Sequence, residues 1–295
     1  MLKNINYIIF KIKKKLFQSF WTATSKYYSK YNSDSVNLLI TKNREFLNKL
    51  GTLLPFDEYK NNDYGIPSKN LKYINKPIGN FLCNFDFIII LINSLTLSKI
   101  KYLEIGVSVM KNFMLINNYF DNNKLVAFDI NPIVKKHKNK FIKNNKFSDN
   151  LFFSNNEKNE LVYYQGDVLN STHTSDFNNY LDFNFNFIYS DALHTQEGVE
   201  SEFNSLIKGN LEDKFIIYYD DLDIKWNKFN VEAAVNNIYL DLKNNDPEVK
   251  LYTFWIYGWL GSFENMHKNA IITNYDLEEI LKDIKIRLPF FKKIN

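Results

Sequence analysis

Five short apolar runs in this chain carry a carboxylate at or just past their ends. They are Glu104 with Gly106 two residues on, Asp129, Asp167 after Gly166, Asp191 with His194 three residues on, and the doubled Asp220 and Asp221. Acids do gather at helix N-termini, where they cap free N–H groups and meet the positive end of the dipole. That accounts for one or two of the five, and poorly for an acid at every one. The positions suggest chemistry instead. A carboxylate ending the second run can accept both hydroxyls of a ribose. An acid in the turn after the third can accept an adenine amino proton. Gly106 lets backbone approach a ligand closely. Together these describe a site for an adenosine-like ligand. A dinucleotide site would want a glycine-rich phosphate turn, whereas here one glycine follows a glutamate, which suits a cationic amino-acid end better than a pyrophosphate.

Such acids work together only if the chain brings them to one edge. The runs 102–105, 125–128, 161–164, 185–189 and 215–219 are separated by helix-length segments. That spacing predicts βαβ units and a parallel sheet, in which ligands bind at the carboxyl ends of the strands. Two later runs, 250–256 and 270–273, lack a helix-length spacer and suit an antiparallel pair closing the sheet. Residues 84–97 and 34–50 read as helices. Between them, 51–80 holds six of the fifteen glycines and prolines, the mark of an irregular connector. No internal repeat is apparent.

Composition narrows the class. The chain has 295 residues, 45% hydrophobic, with a formal net charge of +4. It is long enough for a real core. A single cysteine, Cys83, excludes a disulfide framework or a cysteine-rich zinc site. It precedes a helix and reads as a packing residue. There are 43 asparagines and only two arginines, Arg44 and Arg287, a bias that reflects AT-rich coding more than chemistry. Asparagine pairs such as 144–145 and 155–156 read as loops. No run of 18 apolar residues exists, so no transmembrane helix is expected.

Residues 1–30 hold seven lysines and no acid, leaving the rest of the chain at −3. Leu2, Ile5, Ile8, Ile9, Ile12, Leu16 and Phe20 share one helical face, with most lysines opposite. This basic amphipathic helix would pack on its own domain or a second subunit, or lie on an anionic membrane surface. A secretory signal is not expected, because the apolar stretch is too short.

The ordered motifs Leu103-Glu104-Ile105-Gly106, Ala127-Phe128-Asp129, Gly166-Asp167-Val168, Ile188-Tyr189-Ser190-Asp191-Ala192-Leu193-His194 and Ile217-Tyr218-Tyr219-Asp220-Asp221 resemble the class I S-adenosylmethionine-dependent methyltransferases over roughly 81–275. The resemblance implies a cofactor held by Glu104, Gly106, Asp129, Gly166 and Asp167. In that family the Gly106 turn holds the methionine part, Asp129 the ribose and Asp167 the adenine. The last two motifs are similar to metal-dependent O-methyltransferases acting on small molecules or sugar hydroxyls. This implies Mg²⁺ on Asp191, Asp220 and Asp221, with Asp191 and His194 as catalytic residues. The metal would orient a hydroxyl pair and lower the pKa of the attacking one. His194 would take the proton, or act only by orienting Asp191. Met110 departs from the family, which has glycine there, and so raises the prospect of weakened cofactor binding.

The expected architecture is a Rossmann-like doubly wound α/β fold. It has a seven-stranded sheet with the last pair antiparallel, helices on both faces and a helical N-terminal extension. The division is 1–80, a basic extension and connector, and 81–295, the α/β domain. The expected function is S-adenosylmethionine-dependent O-methyl transfer to a small molecule or sugar, in the cytoplasm, with a homo-oligomer and peripheral membrane contact through 1–20 left open. The alternatives are a degenerate methyltransferase-fold scaffold, and a metal-using hydrolase or oxidoreductase, against which the missing nucleophile elbow and phosphate-turn glycines count. A near-neutral body and Asp191-Ala192 in place of a proline-aromatic motif speak against nucleic acid. His137, His173 and His267 show no metal-ligand spacing and are expected on the surface or in loops. The aromatic stretch 253–260 reads as strand and hairpin packing, or one wall of an acceptor pocket.

Overall fold

The computed structural model describes residues 34–51, 82–95, 97–144, 148–155, 158–222, 229–257 and 266–294, with Ile12 and Leu16. Most of the basic arm and nearly all of the 51–80 connector therefore lie outside the described residues. Ile12 and Leu16 are helical and exposed.

Five parallel strands form the middle of the sheet: β1 (Lys101–Ile105), β2 (Lys124–Asp129), β5 (Glu160–Gln165), β6 (Phe185–Ser190) and β7 (Leu211–Tyr219). They are rich in β-branched and aromatic residues and buried on both faces, as parallel strands must be. Side chains alternate between two cores. On β7, Ile216 and Tyr218 enter one core, while Phe215, Ile217 and Tyr219 enter the other. Helices α1 (Asp34–Gly51), α2 (Asn84–Ser94), α3 (Lys111–Tyr119) and α8 (Leu277–Asp283) contribute to the first core. Helices α5 (Ser171–Tyr180), α6 (Gln196–Glu202) and α7 (Val231–Asn245) contribute to the second. The short α4 (Lys135–Lys138) follows β2.

The strand order is β10-β8-β9-β7-β6-β1-β2-β5-β4-β3, ten strands where seven were expected. The seven are present, and β8 (Lys250–Tyr257) and β9 (Met266–Thr273) are the antiparallel pair. The three additions are short and peripheral. β4 (Leu151–Asn155) extends one edge antiparallel to β5, β3 (Ile142–Lys143) lies antiparallel to β4, and β10 (Lys292–Ile294) borders β8. Asn155, expected in a loop, ends β4. The chain runs outward from β1 through β2 to β5, then returns to β6 on the other side of β1. The strand order thus reverses between β1 and β6, which opens a crevice past their carboxyl ends.

Helix α1 is part of this core. Val36, Leu39 and Ile40 are buried in it. Arg44 and Asn43 meet Asp86 in the first turn of α2, with Arg44 Nη2 at 2.7 Å from Asp86 Oδ2 and Asn43 Nδ2 at 2.9 Å from Oδ1. Cys83 caps α2 and is buried, and burial pushes its thiol pKa up, consistent with a packing role.

Candidate active site

The carboxyl edge of the sheet divides at the reversal. Past β1, Gly106 has φ +84°, and a Cβ there would lie 2.3 Å from the Asp191 carbonyl oxygen. The Asp191 amide donates to Ile105 O at 2.9 Å. Gly106 is thus required because two loops touch there. Ser108 and Met110 also have positive φ. Met110 adopts a left-handed backbone, and its side chain is fully buried in the first core among aliphatic and aromatic residues.

Asp129 ends β2 and binds that loop. Its Oδ2 accepts from the Ser108 amide at 2.7 Å; its Oδ1 accepts from the Asn131 amide at 2.8 Å and from Asn131 Nδ2 at 3.1 Å. Burial raises its pKa, opposed by the amides of Asn131, Ser108 and Val107. Next along, the Gly166 amide donates to Asp129 O at 2.8 Å. A Cβ on Gly166 would strike the rings of Tyr164 and Phe128, which stack with centroids 5.3 Å apart. Asp167 Oδ1 accepts from the Leu169 amide at 2.9 Å, and the Asp167 amide donates to His173 Nδ1 at 3.1 Å. Glu104 lies on β1 ahead of the Gly106 turn. It is 2% exposed, and its Oε2 accepts from Tyr102 Oη at 2.7 Å and Asn112 Nδ2 at 3.2 Å. Burial holds its pKa well above the usual carboxylate range.

On the other half, Asp191, His194, Asp220 and Asp221 come together. Asp220 is 7% exposed, and its Oδ2 accepts from Tyr189 Oη at 2.8 Å and Asn84 Nδ2 at 3.0 Å. Its Oδ1 accepts from the Asp221 amide at 2.8 Å. Tyr189 Oη also lies 3.3 Å from Asp191 Oδ2. His194 Nε2 is 3.3 Å from Asp191 Oδ1 and 3.8 Å from Asp221 Oδ2. Asp221 takes φ +56° and pairs with Nδ1 of His267 on β9. Desolvation opposes charge on both rings, yet the carboxylates prevail: Asp191 chiefly raises His194 to about 9, and Asp221 chiefly raises His267 to about 9. Desolvation and the Asp220 charge raise Asp191 to about 6. Glu202 on α6 underlies this loop. It is fully buried, with a pKa raised to about 7 by burial, and accepts from Ser190 Oγ at 2.5 Å.

His267 therefore corrects the expectation of a surface or loop histidine, as does the buried His137. His173 also departs from that expectation: it is half-buried in the first turn of α5, where its Nδ1 accepts from the Asp167 amide. Asn84, Tyr189 and Glu202 carried no signal of their own in the sequence, although Tyr189 stands two residues before Asp191 on a strand and so shares its side.

The donor atoms of Asp220, Asp221 and His267 lie within 4.8 Å of one another. Two carboxylates and an imidazole, with Asp220 oriented by Tyr189 and Asn84, fit a divalent cation. Asp191 stands outside this trio among the described residues, joined to it through Tyr189 and His194. A cavity of about 430 Å³ lies elsewhere, between α1, α3 and the amino end of β5, lined by residues that include Phe46, Met114, Ser154 and Leu161.

No family model and no curated protein matches the sequence. Among solved structures, the chain is similar to an O-methyltransferase from Bacillus cereus in complex with SAH, at 13% identity and TM-score 0.46, covering 87% of this chain and 99% of that one. It is similar to the O-methyltransferase TomG from Streptomyces achromogenes, involved in tomaymycin synthesis and solved with SAM, at 10% identity and TM-score 0.48, covering 87% and 97%. It is also similar to spermidine synthase from Thermotoga maritima, at 13% identity and TM-score 0.35, covering 65% and 61%.

Proposed function

We propose that this chain transfers a methyl group from S-adenosylmethionine to an oxygen of a small molecule or sugar, assisted by a divalent cation. The observation that carries the reading is the two-part carboxyl edge: a loop-and-carboxylate half at β1, β2 and β5 lies beside an acid-and-histidine half at β6, β7 and β9. A methyl donor needs the first and a hydroxyl acceptor the second.

On the donor side, Asp129 accepts the ribose hydroxyls with lone pairs that Asn131 Nδ2 now takes, and Asp167 accepts the adenine amino proton. The Gly106 turn lies along the methionine part. Glu104 acts indirectly, by holding Tyr102 and Asn112 beneath that turn. Met110 leaves the cofactor side open, because its side chain is turned into the core. On the acceptor side, Asp191, Asp220 and Asp221 would hold a cation, which would supply charge to orient the acceptor and lower the pKa of its hydroxyl. His194 is placed to take the proton. Against desolvation, the nearby carboxylates raise the pKa of this ring to about 9. Its action as a base therefore depends on those charges being otherwise engaged.

The test is calorimetric titration of the full chain with S-adenosylmethionine and S-adenosylhomocysteine, with Asp129→Ala beside it. Binding that weakens by about 1.5–3 kcal/mol in the variant is expected from loss of a charge-assisted hydrogen bond. Absence of binding by the wild type, or equal affinity in the variant, overturns the donor assignment. Unchanged methyl transfer after exhaustive chelation overturns the cation's part alone.

A further inference from the structure

We propose that the cation site is a mixed oxygen and nitrogen site made by Asp220, Asp221 and His267, and that it selects a first-row transition ion such as Mn²⁺, Co²⁺ or Zn²⁺ over Mg²⁺. The proposal rests on the reading that this edge holds a divalent cation, and changes both the ligands and the ion.

The geometry singles out this trio. Its donor atoms lie within 4.8 Å of one another. Asp220 is held from behind, Asp221 by its backbone, and His267 Nδ1 faces Asp221 Oδ1. Asp220 is fixed by Tyr189 Oη at 2.8 Å and Asn84 Nδ2 at 3.0 Å. Asp221 is fixed by its backbone, with its own amide on Asp220 Oδ1 at 2.8 Å and the Leu222 amide on Lys268 O at 2.6 Å. His267 stands on a strand paired on its far side with β8, where it opposes Ile256. A ligand on a strand keeps its place better than one on a loop, and outer hydrogen bonds that orient the inner ligands are the usual mark of a metal site.

The chemistry then chooses the ion. Mg²⁺ is a hard cation that takes oxygen donors and keeps much of its water. An imidazole suits the later first-row metals, whose affinity for such a donor rises along the series from Mn²⁺. With Nδ1 of His267 as one of three protein donors, its proton on the Asp221 pair given up to solvent as the ion enters, a transition ion gains a bond that Mg²⁺ has little use for. Asp191 is then left to hold His194, whose Nε2 is 3.3 Å from its Oδ1.

The full chain is titrated with Mn²⁺ and Mg²⁺ by calorimetry, and the Mn²⁺ form is examined by electron spin echo for modulation from a coordinated nitrogen. The expected result is Mn²⁺ binding at least tenfold tighter than Mg²⁺, with nitrogen modulation. His267→Gln should abolish the modulation and weaken Mn²⁺ by about 10–100-fold, at least the loss seen when an outer-shell partner is removed. His267→Asp, an all-oxygen site, should reverse the preference toward Mg²⁺. Should His267→Gln fail to fold, the wild-type spin echo and His267→Asp still decide. Equal affinity for both ions without nitrogen modulation overturns the proposal and leaves a cation on the carboxylates intact. No binding of either ion overturns the proposal together with the cation's part in the reaction, while the cofactor titration stands apart.

Discussion

The two halves of the carboxyl edge use the same residue type at equivalent strand ends and satisfy it in opposite ways. Past β2 and β5, Asp129 and Asp167 are met chiefly by amides: those of Ser108 and Asn131 on one, that of Leu169 on the other. Amide partners are fixed dipoles with no charge to give up, so these acids act as parts of the loops they hold. Past β6 and β7, Asp191 and Asp221 meet His194 and His267, while Asp220 meets Tyr189 and Asn84. Histidine partners can lose a proton, so that half can exchange what neutralises it. Position along a parallel sheet therefore explains why the acids are there, and the type of partner explains what each can do.

The contrast can be broken at four points. Gly106 belongs to both halves. Ala there must adopt φ near +84° and place a Cβ 2.3 Å from the Asp191 carbonyl oxygen. Forced left-handed backbone alone is worth about 1–3 kcal/mol, and the clash adds to it. Gly106→Ala should thus lower unfolding free energy by about 3–4 kcal/mol in urea denaturation and impair both ligands. A midpoint near wild type would show that the two loops separate freely.

Asp221→Asn strikes one half only. Asparagine tolerates the left-handed backbone of this position, so the substitution isolates the charge. Cation-dependent turnover should fall by about a hundredfold or more, since even outer-shell changes bring losses of 10–100-fold. Cofactor titration should be unchanged; a parallel loss of cofactor affinity would merge the two halves into one site.

Met110→Gly strikes the other half. It relieves about 1–2 kcal/mol of left-handed strain and empties a fully buried side chain worth about 2–5 kcal/mol. The cavity wins, and a net loss of about 1–3 kcal/mol is expected, with cofactor affinity kept. A more stable variant would show that the core collapses around the smaller residue.

The smallest effect is a slope. Lys111 opens α3 and is buried, which lowers its pKa to about 7. A lysine depressed on folding binds fewer protons folded than unfolded. Its destabilisation is therefore full below pH 7 and fades as pH rises toward its unfolded value near 10.4. Lys111→Gln should flatten the rise in stability between those limits, seen as urea midpoints across pH. A variant that keeps the wild-type slope assigns the rise to other groups.

The parallel strands and their terminal acids were legible because buried strands announce themselves as apolar runs, and the acid follows where the run stops. The peripheral strands were not. β3 has two exposed residues, β10 has three residues, and β4 sits among asparagines. Pairing with a neighbour makes such segments strands, and local pattern does not. His267 was hidden for a related reason. Only Ala270 to Thr273 reads as apolar, so the polar start of β9 was missed. The antiparallel register places Ala270 opposite Tyr219 and carries Lys268 to Leu222, which leaves His267 beside Asp221. Forty-six residues separate that pair, and nothing local connects them. Glu104 was read from its place before the glycine turn, and strand alternation puts it on the same side as Tyr102.

Arg44 grips Asp86 in the first turn of α2, and the residue that opens α2, Asn84, hands a hydrogen bond to Asp220. Helix α1 is thus linked, through α2, to Asp220 at the end of β7. The buried Arg44–Asp86 pair is rigid, since pulling it apart leaves a charge stranded in the core. Two helices therefore connect Arg44 to the β7 end of the sheet through buried contacts, so a change at Arg44 would be felt at the donor that keeps Asp220 aimed.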